Sequence, residues 1–260
     1  MSKVFEAETT VQKWDRDYYT PISEKLYDRA IEDMLNIMGP PAAATVLDAG
    51  CGPGVHSIRV AKLGFKVHAI DISQTMLDHA RVRVERAGLA DHVRFEQMDL
   101  TKLSLSDSSV DYAFSWGVII HIPDAERAFS ELARIIRPGG RLGLYVTNKS
   151  AVDHKIEKIA RVLLRKPLKS ISRALGDTTT YRMNDEDLLV WQFDSSALIR
   201  HLGKLGFSLQ YRTCGEFSEL QRRLSGPMRN LLLRANNLAY NLGAPAQMAV
   251  SNLYVFERTR

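Results

Sequence analysis

Three glycines at alternate positions, Gly50, Gly52 and Gly54, with a carboxylate two residues ahead at Asp48, carry the clearest chemistry in this 260-residue chain. They follow a short apolar, β-branched run, Thr45-Val-Leu, and precede a helical pattern that includes Ile58, Ala61 and Leu63. Strand, glycine turn and helix in succession make an edge where a ligand meets backbone amides without side chains in the way. The spacing is Asp-x-Gly-x-Gly-x-Gly, not the Gly-x-Gly-x-x-Gly of dinucleotide sites. An anion at Asp48 suits the ammonium end of a ligand better than a pyrophosphate.

Further polar residues recur at the ends of the strands that follow. The strand Lys66–Ile70 ends in Asp71, placed to take the two hydroxyls of a ribose. The alternative is a helix N-cap at Asp71, a role Ser73 could fill equally well. Strand Val93–Gln97 leads into Met98-Asp99-Leu100, where Asp99 can accept from an adenine amine. Met98, Leu100 and Met76 could flank the ring, or simply fill the core. S-adenosylmethionine, with its ammonium and sulfonium, fits this pattern of acids. The fourth strand, Val110–Ser115, runs into Trp116, and His121 follows shortly after. An imidazole there titrates near neutrality and could take a proton from an acceptor hydroxyl or amine; the alternative is a hydrogen bond to the backbone. Asp124 is expected to cap the next helix, Asp124–Ile136.

Taken together, Val46–Gly54, the acid at Asp71, Met98-Asp99-Leu100 and Ile136-Arg-Pro-Gly-Gly-Arg-Leu142 resemble the class I S-adenosylmethionine-dependent methyltransferases, nearest to the branch acting on small molecules, quinones and sugars. The resemblance covers residues 10–147 well and 193–212 more loosely. It implies a seven-stranded, mostly parallel sheet with an antiparallel last hairpin. It also implies S-adenosylmethionine as cofactor, with S-adenosylhomocysteine as product. The positions that match the family's cofactor site are Asp48, Gly50, Cys51, Gly52, Gly54, Asp71, Ile72, Met76, Met98, Asp99, Leu100, Ser115 and Trp116. In similar enzymes an N-terminal aromatic segment folds over the cofactor. Here that segment holds Trp14, Tyr18 and Tyr19, and Tyr19 joins His121 as a candidate catalytic residue. Packing of these rings onto the sheet is the plainer alternative.

The elements needed to position these residues are legible. Strands alternating with 10–15-residue helical patterns argue for a doubly wound α/β fold over the whole chain, 1–260, treated as one methyltransferase domain. An apolar content of 45% is enough to bury a core. No apolar run approaches the ~20 residues of a membrane span, and the first residues lack a signal-peptide layout. With only Cys51 and Cys214 present, a disulfide framework is not expected and a cytoplasmic setting is. The seven histidines show no ligand spacing, so no metal is expected.

Three covers surround the expected ligand edge. Residues 9–38 form an N-terminal helical one. Residues 149–192 form a basic insertion, whose stretch from Lys149 to Arg182 has nine bases (Lys149, Lys155, Lys158, Arg161, Arg165, Lys166, Lys169, Arg173, Arg182) against three acids (Asp153, Glu157, Asp177), more surplus charge than the whole chain's +5. Its residues Ile156, Ile159, Ala160, Leu163, Leu164, Leu168, Ile171 and Leu175 repeat at helical spacing, with a kink expected at Pro167. The stripe reads as a substrate lid, as a peripheral membrane contact through 155–175, or as a nucleic-acid surface. Residues 215–245 form a second helical insertion, with Leu220, Leu224, Met228, Leu231, Leu232, Leu238 and Leu242. Two apolar, basic covers suit a small acceptor with a lipophilic or acidic part. The loop after the fourth strand, Ser115-Trp116-Gly117-Val118, lacks the Asn/Asp-Pro-Pro-aromatic pattern of base methylation and the paired glutamates of arginine methylation. The expectation is therefore methyl transfer to oxygen or nitrogen of a small-molecule or lipid-linked acceptor, with nucleic acid disfavoured. Carbon methylation, an RNA or protein acceptor, and a non-catalytic cofactor-binding regulator are the alternatives.

Overall fold

The structure is a computed structural model that describes residues 3–163, 165, 170–183 and 186–260. Ten strands are present among them: β1 (Thr45–Ala49), β2 (Lys66–Asp71), β3 (Val93–Gln97), β4 (Val110–Trp116), β5 (Ile136–Thr147), β6 (Ser170–Arg173), β7 (Gly176–Met183), β8 (Glu186–Phe193), β9 (Phe207–Cys214) and β10 (Ser251–Arg258). The α-helices are α1 (Glu8–Tyr18), α2 (Pro21–Met38), α3 (Val55–Lys62), α4 (Gln74–Arg86), α5 (Ala125–Ile135), α6 (Val152–Leu163), α7 (Ser195–Lys204) and α8 (Gly226–Asn241).

Seven strands form one sheet in the order β3-β2-β1-β4-β5-β10-β9. The first five are parallel neighbours, and β10 lies antiparallel between β5 and β9. The fold and its antiparallel last hairpin are as expected. The chain leaves β1 outward through β2 and β3, then returns to β4 on the other side. This reversal makes a switch point at the carboxyl ends of β1 and β4, where open α/β sheets bind ligands.

Alternate residues of each strand serve opposite faces. Val46, Val67, Phe114, Leu253 and Val255 pack with Ala30, Ile31, Met34 and Met38 of α2. Leu47, Ile70, Leu142, Leu144, Tyr254 and Phe256 pack with Phe129 and Leu132 of α5 and Leu198 and Leu202 of α7. Helix α2 is well delimited. Thr20 and Ser23 form a capping box, Pro21 opens the first turn, and Gly39 closes the helix in the left-handed region. Its Met34 lies against Gly143, where any side chain would meet the methionine sulfur.

The insertions differ from the sequence expectation. Residues 149–192 do not form one long helical stripe. Helix α6 stops at Leu163, and β6, β7 and β8 form a separate antiparallel sheet. The reason is local: Thr178, Thr179, Val190, Trp191 and Phe193 are β-branched or aromatic, and strands favour them. Leu175 is buried beside that sheet while Ile171 is exposed on its edge strand. Pro167, Leu164 and Leu168 fall outside the described residues. Helix α6 buries no side chain, so its stripe does not pack over the site. In 215–245 the helix is α8, but its buried face is Leu233, Asn236 and Tyr240, packed toward α2. Leu220, Leu224, Met228, Leu231, Leu238 and Leu242 are exposed instead.

Candidate active site

The glycine turn is held by backbone bonds that leave one face open. The amides of Gly50 and Cys51 both donate to the Ile70 carbonyl, at 2.9 and 2.8 Å. Gly54 has φ 79° and opens α3; a Cβ there would stand 2.8 Å from the Cβ of Ala80. A Cβ at Gly50 would run into Val118. Over Gly52 there is room, the nearest atom to a Cβ being a ring carbon of Trp14 at 4.0 Å. Cys51 is buried, and that burial pushes its thiol far up, which makes it inert.

Asp71 and Asp48 brace this turn from two strand ends. The Gly52 amide donates to Asp71 Oδ2 at 2.8 Å, and the Ser73 amide to Oδ1 at 2.9 Å. Ser73, not Asp71, caps α4 by accepting from the Met76 amide. Burial pushes Asp71 up, partly offset by those two amides. Asp48 is buried and accepts from Ser57 Oγ at 2.6 Å. Desolvation carries it up to about 7.

The remaining sequence-predicted cofactor residues gather at the same sheet edge. Ser115 Oγ donates to the Ala49 carbonyl at 2.8 Å, tying the ends of β1 and β4 across the switch point. Met76, Met98 and Leu100 are buried. Exposed Asp99 uses Oδ1 to accept from the amide and hydroxyl of Thr101, each at 2.8 Å. The Ile72 carbonyl accepts from Gln97 Nε2.

The two candidate catalytic residues sit in different ring clusters. His121, at the end of a short 3-10 turn after β4, shares its Nδ1 with the Leu189 carbonyl of β8 at 2.9 Å. A carbonyl only accepts, so Nδ1 carries the proton and Nε2 keeps its lone pair. Burial pushes the imidazole down to about 4. Its ring lies 5.7 Å from Phe5, which in turn lies 6.0 Å from Trp14. The Phe5 carbonyl accepts from Ser73 Oγ, so the N-terminal segment is fastened across the ligand edge. Tyr19 stands on the opposite side, 6.1 Å from His56 and 6.4 Å from Tyr27. Desolvation keeps its phenol protonated.

Sequence reasoning missed the group that Tyr19 joins. His56, Trp116 and Tyr145 stack in succession at 4.7 and 4.0 Å, and Tyr27 meets the first two edge-on. Behind them Glu216 is buried, accepting from Tyr27 Oη at 3.0 Å, Gln221 Nε2 at 3.3 Å and Arg222 Nη2 at 3.2 Å. Burial raises Glu216, with Arg222 pulling the other way. Arg222 also lies over the Tyr18 ring at 4.2 Å. His56 Nδ1, Gln221 Oε1 and Arg222 Nε are buried without a hydrogen-bond partner, three orphans in the network around Tyr27 and Glu216. The signal available was His56, two residues past Gly54, and a lone carboxylate, Glu216, beside Gly215.

A methylated sulfonium nucleoside fits these residues. These residues offer room over Gly52, acids at or just past the ends of β1, β2 and β3, and the buried apolar side chains Met76, Met98 and Leu100. Among the described residues no group of three metal-ligating side chains comes together.

Comparison with known proteins agrees. The family described as "Methyltransferase domain" matches residues 46–140. The chain is 33% identical over 154 residues to 27-O-demethylrifamycin SV methyltransferase of Amycolatopsis mediterranei, covering 57% of this chain and 56% of that one. It is 30% identical over 176 residues to the S-adenosyl-L-methionine-dependent Diels-Alderase iccD of Talaromyces variabilis, covering 65% and 60%. The chain thus spans roughly half the length of the curated relatives it matches. Geranyl diphosphate C-methyltransferase from Streptomyces coelicolor A3(2) superposes with a TM-score of 0.61 at 15% identity, over 90% of this chain and 80% of that one. Residues 46–140 thus match a methyltransferase domain, set in a fold shared with S-adenosylmethionine-dependent methyltransferases of known structure.

Proposed function

We propose that the chain transfers the methyl group of S-adenosylmethionine to an oxygen or nitrogen of a small, partly apolar acceptor. The observation that supports this reading is His121, its tautomer fixed by Leu189, with its ring 5.7 Å from Phe5, whose carbonyl accepts from Ser73 two residues past Asp71. When bound, S-adenosylmethionine supplies an electrophilic methyl whose leaving group is already activated by positive charge. The protein's task is then alignment and exclusion of water, worth on the order of 7–11 kcal/mol in favourable cases. Asp48 holds the cationic amino-acid end and Asp71 the ribose. Asp99, Ile72, Met76, Met98 and Leu100 frame the base, and Ser115 and Trp116 form the wall nearest the reacting centre. His121 Nε2 accepts the acceptor's proton as the new bond to carbon forms. Tyr19, protonated, donates a hydrogen bond to orient the acceptor.

An apolar acceptor is supported by the packed ring cluster of Tyr27, His56, Trp116 and Tyr145. A peripheral membrane contact through 155–175 is supported by the exposed Ile156, Ile159 and Leu163 of α6 with Lys155 and Lys158 beside them. The relatives' names span oxygen methylation and a cycloaddition, so cofactor binding in this family is separable from methyl transfer.

The test is incubation with methyl-labelled S-adenosylmethionine and fractionated small-molecule extracts, read by mass spectrometry. Label in a small product, lost in His121→Ala while S-adenosylhomocysteine still binds by calorimetry, supports the reading. Binding without label in any product would favour a cyclase or a regulator.

A further inference from the structure

We infer that the groove between α2 and α8 is a socket for the phosphate of an anionic phospholipid in a bilayer, and that α8 lies on that surface. The groove encloses about 510 Å³ and is lined by Ile22, Lys25, Arg29, Arg234, Asn237, Leu238 and Asn241. Three of these are cations, and no carboxylate lines the space. The nearest acids on α2 are turned elsewhere: Glu24 and Asp28 pair with Arg59, and Asp33 accepts from Tyr240 Oη. Glu32 is exposed, one turn beyond Arg29, and outside the groove.

The rim of the groove is apolar. Along α8 the residues Met228, Leu231, Leu238 and Leu242 are 56%, 61%, 58% and 75% exposed and recur at helical spacing. The helix contains no acid at all. One face of α8 is thus buried against α2 and the segment around Ser218, and the other offers leucines beside cations that no carboxylate in the groove offsets. That combination matches an anionic lipid surface, which takes apolar side chains below the headgroups and attracts bases above them. A soluble acidic partner would match the cations but not the leucines.

This deepens the membrane reading above. It rests on the proposed transfer to an apolar acceptor for its biological purpose, and its lipid contact is separate from the one through 155–175. Helix α8 is also tied to the active-site cover, because Arg229 donates to the Arg16 and Asp17 carbonyls at the end of α1. Docking on lipid would place Tyr18 and Tyr19 next to the source of an apolar acceptor.

The experiment is flotation of the full chain with vesicles of phosphatidylcholine alone and of phosphatidylcholine mixed with phosphatidylglycerol. The expected result is flotation only with the anionic vesicles, lowered on the order of 25-fold in Arg29→Gln/Arg234→Gln, at roughly 5-fold per cation. Leu231→Ser/Leu238→Ser should lose flotation without any charge change, and Lys155→Gln/Lys158→Gln should retain most of it. Thermal melting and S-adenosylhomocysteine binding confirm that each variant is folded, and keep this result separate from the methyl-transfer reading. Four outcomes would overturn the proposal: absence of flotation by the folded chain, equal flotation of the α8 variants, full competition by soluble glycerol phosphate, or binding of RNA or self-association through Leu238 in place of lipid.

Discussion

His121 and Leu189 are joined by one hydrogen bond, Nδ1–H to carbonyl oxygen at 2.9 Å, and it links the end of β4 to the sheet inserted after β5. The insertion therefore sets the tautomer of the candidate base. With the imidazole pushed down to about 4, His121 is neutral throughout the physiological range. Methyl transfer is expected to show no acid limb near the ordinary histidine value and to fall only as pH drops toward about 4. A kcat profile at saturating S-adenosylmethionine, where Asp48 is held as the cofactor's anion, checks this, and a limb centred near 6.5 would contradict it. His121→Ala should lower kcat by 10²–10⁴-fold, the range typical for a general base.

Asp48 titrates in the opposite sense. Its folded-state value, up to about 7, lies above the unfolded carboxylate near 3.8. Folding takes up a proton between those values, so this group's contribution to stability falls as pH rises from about 4 to 7. Asp48→Asn is expected to melt higher than the parent above pH 7 and to bind S-adenosylmethionine more than about tenfold more weakly, since the cationic end loses its anion. Melting curves at pH 5 and pH 8 show whether the gap widens with pH.

Asp71→Ala removes the acceptor for two amides, Gly52 and Ser73. Each bond is charge-assisted, and the loss should cost roughly 1.5–3 kcal/mol of stability per bond, less any rescue by water. Binding of S-adenosylhomocysteine should weaken by more than tenfold in the same variant. Asp71→Asn has one oxygen for the two amides and sets its NH2 against the other, so it should recover at most part of the stability and less of the affinity. Calorimetry on both separates the two roles.

Glu216 sits among Tyr27, Gln221 and Arg222 with almost no water. Glu216→Leu leaves Arg222 with the partly exposed Glu219 as its remaining described carboxylate, and about 3–5 kcal/mol of destabilisation is expected. Glu216→Gln preserves the shape and should cost far less. Denaturant midpoints for the pair test this, with the acceptor's KM as a second readout.

Trp191 fastens the inserted sheet by donating Nε1–H to the Ile122 carbonyl at 2.8 Å, next to His121. Trp191→Phe keeps the ring stack on Phe193 but loses that bond. Stability should drop by about 1 kcal/mol, while kcat falls more than S-adenosylhomocysteine affinity, because the base loses its alignment. Equal losses in both would contradict a positioning role.

The sequence made the central sheet readable because its signals are local. Val46 and Leu47 alternate into two faces, Ser73 and Asp124 cap helices as their types suggest, and the glycine turn follows β1 directly. The insertions were harder for physical reasons. Ile156, Ile159 and Leu163 have helical spacing, yet periodicity says which residues share a face and not whether that face is covered. The run from Thr178 to Phe193 carried a strand signal that the neighbouring helical stripe obscured. Glu216 was unreadable because its partners, Tyr27 and Arg222, meet it only through tertiary packing, one of them 189 positions away.

The strap from Phe5 to Trp14 crosses the open side of Gly52 and is anchored at Ser73 and Thr75. A nucleoside seated over Gly52 would lie beneath Trp14, and entry past this strap would break those two bonds. Turnover would then be paced by how often the amino terminus peels away, and the demethylated nucleoside would be held back by the same clasp that keeps solvent from the transfer.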